Sequence, residues 1–207
     1  MSSARSAPRG GRRPTQAKAR RRRWGWLLVA AALGIGLAIG ISRIDIEKAI
    51  KEFTLPLQHD DIIRQQAAEK NLDPSLIAAV IYAESRFQDQ TSEAGARGLM
   101  QITPDTARVI ERLSGGTTFV TSDLSDPEIN IRYGSYYLRY LLKRYDGNEV
   151  AALAAYHAGS GNVDRWGGAD LKKADIGFPD TRAYVEEVLD KQQDYRHQYA
   201  AELGISN

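Results

Sequence analysis

Among the 207 residues of this chain, the group best placed for acid–base chemistry is one carboxylate, Glu84, at the end of an apolar helix. Leu76, Ile77, Val80 and Ile81 recur at helical spacing, and Ala78, Ala79 and Ala83 keep that helix slim enough to be buried on most sides. A carboxyl group carried on such a helix is desolvated, which raises its pKa and leaves it protonated near neutral pH, as a general acid must be. The plainer alternative is a solvated or ion-paired glutamate with Arg86 or Arg97 as its partner. Beyond Glu84 the sequence turns to loop. Gln88, Asp89, Gln90, Thr91 and Ser92 are turn and cap residues, and Gly95 and Gly98 allow sharp bends before Leu99, Met100, Gln101 and Ile102. Gln101 brings both a donor and an acceptor. Met100 suits either the core or a ligand contact, and Ser85 either caps the helix end or orients Glu84.

Two further groups join this set. Tyr156 and His157 stand at the end of an Ala-rich helix before Gly159, Ser160 and Gly161, where their rings can project into a groove. A core aromatic is the alternative for Tyr156, and His157 reads as a rim or supporting residue rather than a base. Tyr184 lies in a last helix, with ordinary packing as its alternative. The three dispersed histidines and the absence of cysteine give no ligand spacing, so neither a metal nor another cofactor is expected.

The elements that must position these residues are helices throughout, which makes the fold class all-α. A helix spans His59 to Lys70 with Asn71 at its C-terminal end, and Asp73 caps the next, with Pro74 in its first position, leading straight to Glu84. Thr103 and Pro104 repeat that start signal for a helix to Ser114, closed by Gly115 and Gly116. Residues 117 to 125 read as loop. Asp126 and Pro127 open a long helix to Tyr145, a turn at Asp146 and Gly147 precedes a small-residue helix over 148 to 158, and a last helix runs from about Asp180 to Leu203. A tiny hairpin between Gln90 and Gln101 is the one place for strand pairing.

Ahead of this globule, residues 58 to 207, lie three segments of different character. Residues 1 to 23 hold nine Lys and Arg and no acid, which leaves 19 basic against 26 acidic residues in the remainder: an acidic globule on a basic, disordered tail. The Arg22 and Arg23 cluster admits a nucleic-acid reading, but residues 24 to 41 argue against it. They are 18 residues without a charge, with Trp24 and Trp26 at the mouth, and read as one transmembrane helix. The positive-inside rule places the N-terminus in the cytoplasm and the globule on the periplasmic or cell-wall side of the cytoplasmic membrane. An uncleaved anchor is preferred to a signal peptide because the basic region is long. Residues 42 to 57, with Ile44, Ile46, Ile50 and Phe53 among charges, form a linker or stalk helix ending before Pro56.

Three motifs in order carry a resemblance: Ala-Glu-Ser-Arg-Phe at 83 to 87, Gly-Ala-Arg-Gly-Leu-Met-Gln-Ile-Thr-Pro at 95 to 104, and Ala-Ala-Tyr-His-Ala-Gly at 154 to 159. They resemble the motifs of the soluble lytic transglycosylase (SLT) domain family, which has a lysozyme-like fold, and the likeness covers roughly residues 58 to 200. The family pattern has Asn where this chain has His157. Tyr184, in Phe-Pro-Asp-Thr-Arg-Ala-Tyr-Val at 178 to 185, resembles the family's last motif, whose tyrosine reaches the acid. The resemblance implies cleavage of the MurNAc to GlcNAc β-1,4 bond of peptidoglycan with 1,6-anhydromuramoyl ends, Glu84 acting as acid and then base. Ser85, Met100, Gln101, Tyr156, His157 and Tyr184 would meet the glycan.

The residues fit that chemistry. Conventional glycosidases use two carboxylates roughly 5 to 9.5 Å apart, whereas Asp89, Glu93 and Asp105, the acids near Glu84 in sequence, read as loop or helix-start residues. One acid suffices if the C6 hydroxyl of the substrate is the nucleophile. Two other readings stay open: a muramidase of goose-lysozyme type, which hydrolyses, and a catalytically weak cell-wall binding or assembly protein. Peptidoglycan strands are the expected partner. Cell-wall synthesis or division proteins are the class that such a location brings near, and the sequence specifies none.

Overall fold

The structure, a computed structural model, describes residues 46, 48–115 and 121–206. The basic tail, 1 to 23, and the apolar segment, 24 to 41, lie outside them. Among the described residues no helix is long and apolar enough to cross a membrane. The chain divides into two compact units, 1–51 and 52–207. Of the first, residue 46 and residues 48–51 are described, and they are helical.

Among the described residues of the second unit, seven helices follow residue 59: α1 Asp60–Lys70, α2 Pro74–Ser85, α3 Pro104–Ser114, α4 Pro127–Arg144, α5 Glu149–Ala158, α6 Ser160–Trp166 and α7 Pro179–Gln198. Short 3-10 turns at Thr121–Ser125, Gly168–Asp170 and Lys173–Asp175 complete it. The expected start signals act as written. Asp73, Thr103 and Asp126 each accept a hydrogen bond from a backbone N–H of the first turn, with proline directly behind them, so orphan donors are satisfied where the helix begins. Asn148 does the same for α5.

The core forms around α2. Every residue from Ser75 to Tyr82 is buried, which explains an apolar run without a polar face: α7 packs along one side of it and α1 along another. The small residues Ala151 to Ala155 let α5 lie close against α4, α6 and α7. Three departures from expectation have local causes. Gly159, at φ 83°, breaks α5 and starts α6 at once, so the Gly-Ser-Gly stretch is a helix junction that buries Val163 rather than a terminal loop. The last helix stops at Gln198, and Leu203 is instead tucked into the turns that follow. The hairpin between Gln90 and Gln101 is reduced to single bridges, Thr91 with Arg97 and Arg97 with Ile102.

Residues 54 to 56, entering the unit, are clipped to it by three tyrosines. Tyr82 of α2 donates to the Thr54 carbonyl at 3.3 Å, Tyr199 to that of Leu55 at 2.8 Å, and Tyr195 of α7 to that of Pro56 at 2.5 Å. Leu55 is buried beneath them, while Phe53, one of the stalk's apolar residues, is 89% exposed.

Candidate active site

α2 ends by delivering Glu84 to its last turn and then reversing sharply. Arg86 and Phe87 both adopt left-handed backbone, at φ 52° and 62°, and Phe87 plugs into the core against Tyr195, 6.2 Å between ring centroids. Arg86 bends away to Tyr82 and to Glu187, 3.8 Å distant, so the ion-pair alternative for Glu84 is not realised by Arg86. Among the described residues no cation pairs with Glu84, and Tyr184 of α7 donates its hydroxyl to Oε1 at 2.8 Å.

Burial pushes the Glu84 carboxyl up to about 7, against a smaller downward pull from the Tyr184 hydroxyl. Tyr184 itself is raised well above its ordinary value by burial and by the nearby Glu84 charge, so it stays a donor at any physiological pH. Tyr156 behaves alike, and its hydroxyl donates to the Met100 carbonyl at 2.9 Å. Here α5 and the loop after α2 are tied together.

That loop, 88 to 103, is held from below by a residue the sequence reading passed over. Asn130 of α4 is fully buried and uses its whole amide: Oδ1 accepts from the Met100 N–H at 2.8 Å, and Nδ2 donates to the Arg97 and Leu124 carbonyls at 2.9 and 2.8 Å. Gly98 must be glycine for the same reason, since a Cβ there would stand 2.2 Å from Asn130 Nδ2. An asparagine between Ile129 and Ile131, on a helix with a broad apolar face, was the available signal, because a buried amide has to find partners.

The site residues expected from sequence separate into two layers. Glu84, Gln101, Tyr156 and His157 line one cleft of about 340 Å³, together with Tyr137, Ser92, Thr103 and Thr106. Ser85 and Met100 lie underneath. Ser85 is buried and its hydroxyl donates to the Leu99 carbonyl at 2.7 Å, which fixes the loop to α2. Met100 is 0% exposed and fills the space over Gly134, so its side chain offers no surface to a ligand; the apolar contact expected of it is a core contact. Gln101, left-handed at φ 45°, spends Nε2 on the Gln90 and Gly98 carbonyls, at 3.0 and 2.8 Å, and keeps Oε1 as an acceptor for the cleft. Tyr137 of α4, not among the site residues expected from sequence, is a wall of the cleft, 5.6 Å from the Tyr156 ring.

His157 is exposed at the rim. Its Nδ1 pairs with Thr181 Oγ1 at 3.0 Å, and its ring lies 4.6 Å from that of Tyr184. Partial burial of the ring lowers its pKa below the ordinary 6.5, opposed by Asp180. Among the described residues lining the cleft, Glu84 is the one carboxylate. A cavity of about 410 Å³ between the α1–α2 and α4–α5 turns is larger, but it is lined by residues such as Arg139 and Lys143, and in its Asp73 carboxyl the upward push of burial is outweighed by hydrogen bonds from Ser75 and Arg196, which hold it below its ordinary value. The perturbed carboxyl, not volume, marks the site.

A helical unit with a carboxyl of raised pKa at the end of a buried helix, faced by two tyrosines and a glutamine loop, has the lysozyme-like fold. Comparison with known proteins agrees. Residues 61–178 match the model described as Transglycosylase SLT domain, and the chain belongs to that family. It is similar to the soluble lytic murein transglycosylase of Salmonella typhimurium, 34% identical over 155 residues, which is 70% of this chain and 24% of that protein. It is also similar to the membrane-bound lytic murein transglycosylase C of Photorhabdus laumondii, 36% identical over 123 residues, 55% of this chain and 34% of that one. Among solved structures, an inactive Glu-to-Gln mutant of the lytic transglycosylase Slt from Pseudomonas aeruginosa superposes with a TM-score of 0.67 at 33% identity, covering 76% of this chain and 27% of that one. The chain thus spans about a quarter of the length of the soluble relatives it matches.

Proposed function

We propose that this chain is a peptidoglycan lytic transglycosylase that cuts the MurNAc to GlcNAc β-1,4 bond and leaves a 1,6-anhydromuramoyl end. The observation that carries the reading is the solitary cleft carboxyl with its pKa raised to about 7. With Oε1 bonded to Tyr184, Oε2 gives its proton to the glycosidic oxygen as the C1–O bond breaks and GlcNAc departs. Positive charge gathers at C1 and is shared with the acetamido oxygen of the same sugar. Tyr184 stabilises the carboxylate formed at this moment, since a hydrogen bond to the charged form strengthens as charge develops. Glu84 then takes the proton of the C6 hydroxyl while that oxygen closes on C1, so the acid is regenerated and no water enters. Gln101 Oε1 and the Tyr137 and Tyr156 rings would orient the sugars, and His157 would stand at the rim in the place of the family's Asn.

Residues 24 to 41 would serve as a single-pass anchor, with the N-terminus inside and the catalytic unit facing the wall. The support is the uncharged run directly behind nine basic residues. The test is mass spectrometry of fragments released from purified sacculi. Anhydro ends are expected from the parent and no fragments from Glu84→Gln; reducing ends would instead establish a hydrolase, and cleavage by Glu84→Gln within tenfold of the parent would remove Glu84 from the role.

A further inference from the structure

The cleft cavity stops at His157, but the surface beyond it carries an aromatic pair that the proposed chemistry does not use. Phe178, at the N-cap of α7, is 48% exposed, and Trp166, at the end of α6, is partly exposed beside it. Their ring centroids are 4.9 Å apart at 88°, an edge-to-face pair. The pair is held in place. Trp166 lies directly on the backbone of Gly177, where a Cβ would come within 2.6 Å of Nε1, and Arg182 fastens the preceding residue by donating to the Ile176 carbonyl at 2.7 Å. Ile176 and Leu171 are buried beneath this loop. Two adjoining aromatics held rigidly at the surface form a contiguous apolar patch of the kind that marks a binding surface.

Their position says what binds there. Along α7, Tyr184 meets the acid, His157 lies between Tyr184 and Thr181, and Phe178 comes one turn before Thr181. At 1.5 Å per residue, the six positions from Tyr184 back to Phe178 span about 9 Å of helix axis, and Phe178, Thr181 and Tyr184 follow one i, i+3 line on its surface, with His157 packed against the last two. A polysaccharide running through the cleft leaves along that line, and the apolar C–H faces of pyranose rings are what exposed aromatic faces stack on. We propose that Trp166 and Phe178 form an additional sugar-binding platform for the part of the glycan strand beyond His157, so that long strands are held more tightly than short ones. This rests on the reading of the cleft as a glycan site.

The test uses the full chain carrying Glu84→Gln, so that bound sugar is not consumed, with chitotriose and chitohexaose as probes, followed by calorimetry and tryptophan fluorescence. Chitohexaose is expected to bind more tightly than chitotriose and to change the emission. Phe178→Ala should lose about fivefold of affinity for the hexamer while leaving the trimer unchanged, which also shows that the variant is folded, and Phe178→Trp should restore it. Trp166→Phe should abolish the emission change, which separates Trp166 from Trp24 and Trp26. Equal affinity of the parent for both sugars, or a length advantage that survives Phe178→Ala, overturns the platform and leaves the catalytic reading in place. If the parent binds neither sugar, the platform also falls, and the catalytic reading falls with it only when the unsubstituted chain also fails to release anhydro fragments from sacculi.

Discussion

Glu84→Gln should make this protein more stable, and only above acidic pH. In the folded state burial holds the Glu84 proton up to about pH 7, whereas an unfolded glutamate releases it near 4.5. Between those values the folded state binds more protons than the unfolded state, so stability falls as pH rises through the window. A difference of about 2.5 pKa units at 1.36 kcal/mol each corresponds to about 3 kcal/mol of strain carried by the ionised site at pH 8 and absent at pH 4.5. The amide has the shape of the acid and no charge to desolvate, and it can still accept from Tyr184. Urea unfolding of parent and variant at pH 4.5, 6 and 8 measures the effect directly. The variant should match the parent at the lowest pH and exceed it by about 2 to 3 kcal/mol at the highest. A constant difference across the three pH values would mean that Glu84 is not desolvated, and the argument for its acid role would lose its physical basis.

Three other outcomes are expected. Tyr184→Phe removes the one bond that favours ionised Glu84, and a hydrogen bond to a charged group is worth about 1.5 kcal/mol or more, so the alkaline limb of kcat/KM should move up by about one pH unit; an unmoved limb would show that the bond does not govern the acid. His157→Asn should retain cleavage and flatten the acid limb below pH 6.5, because the amide cannot gain the second proton that costs imidazole its acceptor; superimposed profiles would return His157 to a structural role. Gly134→Ala should destabilise by about 1 to 3 kcal/mol in thermal or urea unfolding, since the new Cβ would stand 2.3 Å from Met100 Sδ in a core with no slack; no change in midpoint would mean that Met100 is not packed there.

The parts of the site legible in the sequence were those whose signal is local. Asp73 with Pro74 and Thr103 with Pro104 mark helix starts by chemistry confined to one turn, and they bracket the segment that presents Glu84 and Gln101. What stayed hidden depends on direction in space. Met100 and Gln101 are adjacent, yet one fills the core and the other faces the cleft, because Gln101 takes a left-handed conformation that no periodicity announces. Asn130 escaped notice because its partners, Arg97, Met100 and Leu124, are brought to it by tertiary structure. The α6 helix was missed because seven residues with one buried side chain, Val163, give no pattern to read.

The tyrosine clip has a mechanical meaning. Tension arriving through residues 52 and 53 meets three hydroxyl bonds in succession, at Thr54, Leu55 and Pro56, and these lead into α2 and α7, the two helices that face each other across the Glu84–Tyr184 bond. Load entering there is divided between both sides of the Glu84–Tyr184 contact instead of bending a single joint. Within the second unit, the entering segment is thus fastened at three successive carbonyls, and a pull on it is shared among three bonds before any one of them gives way.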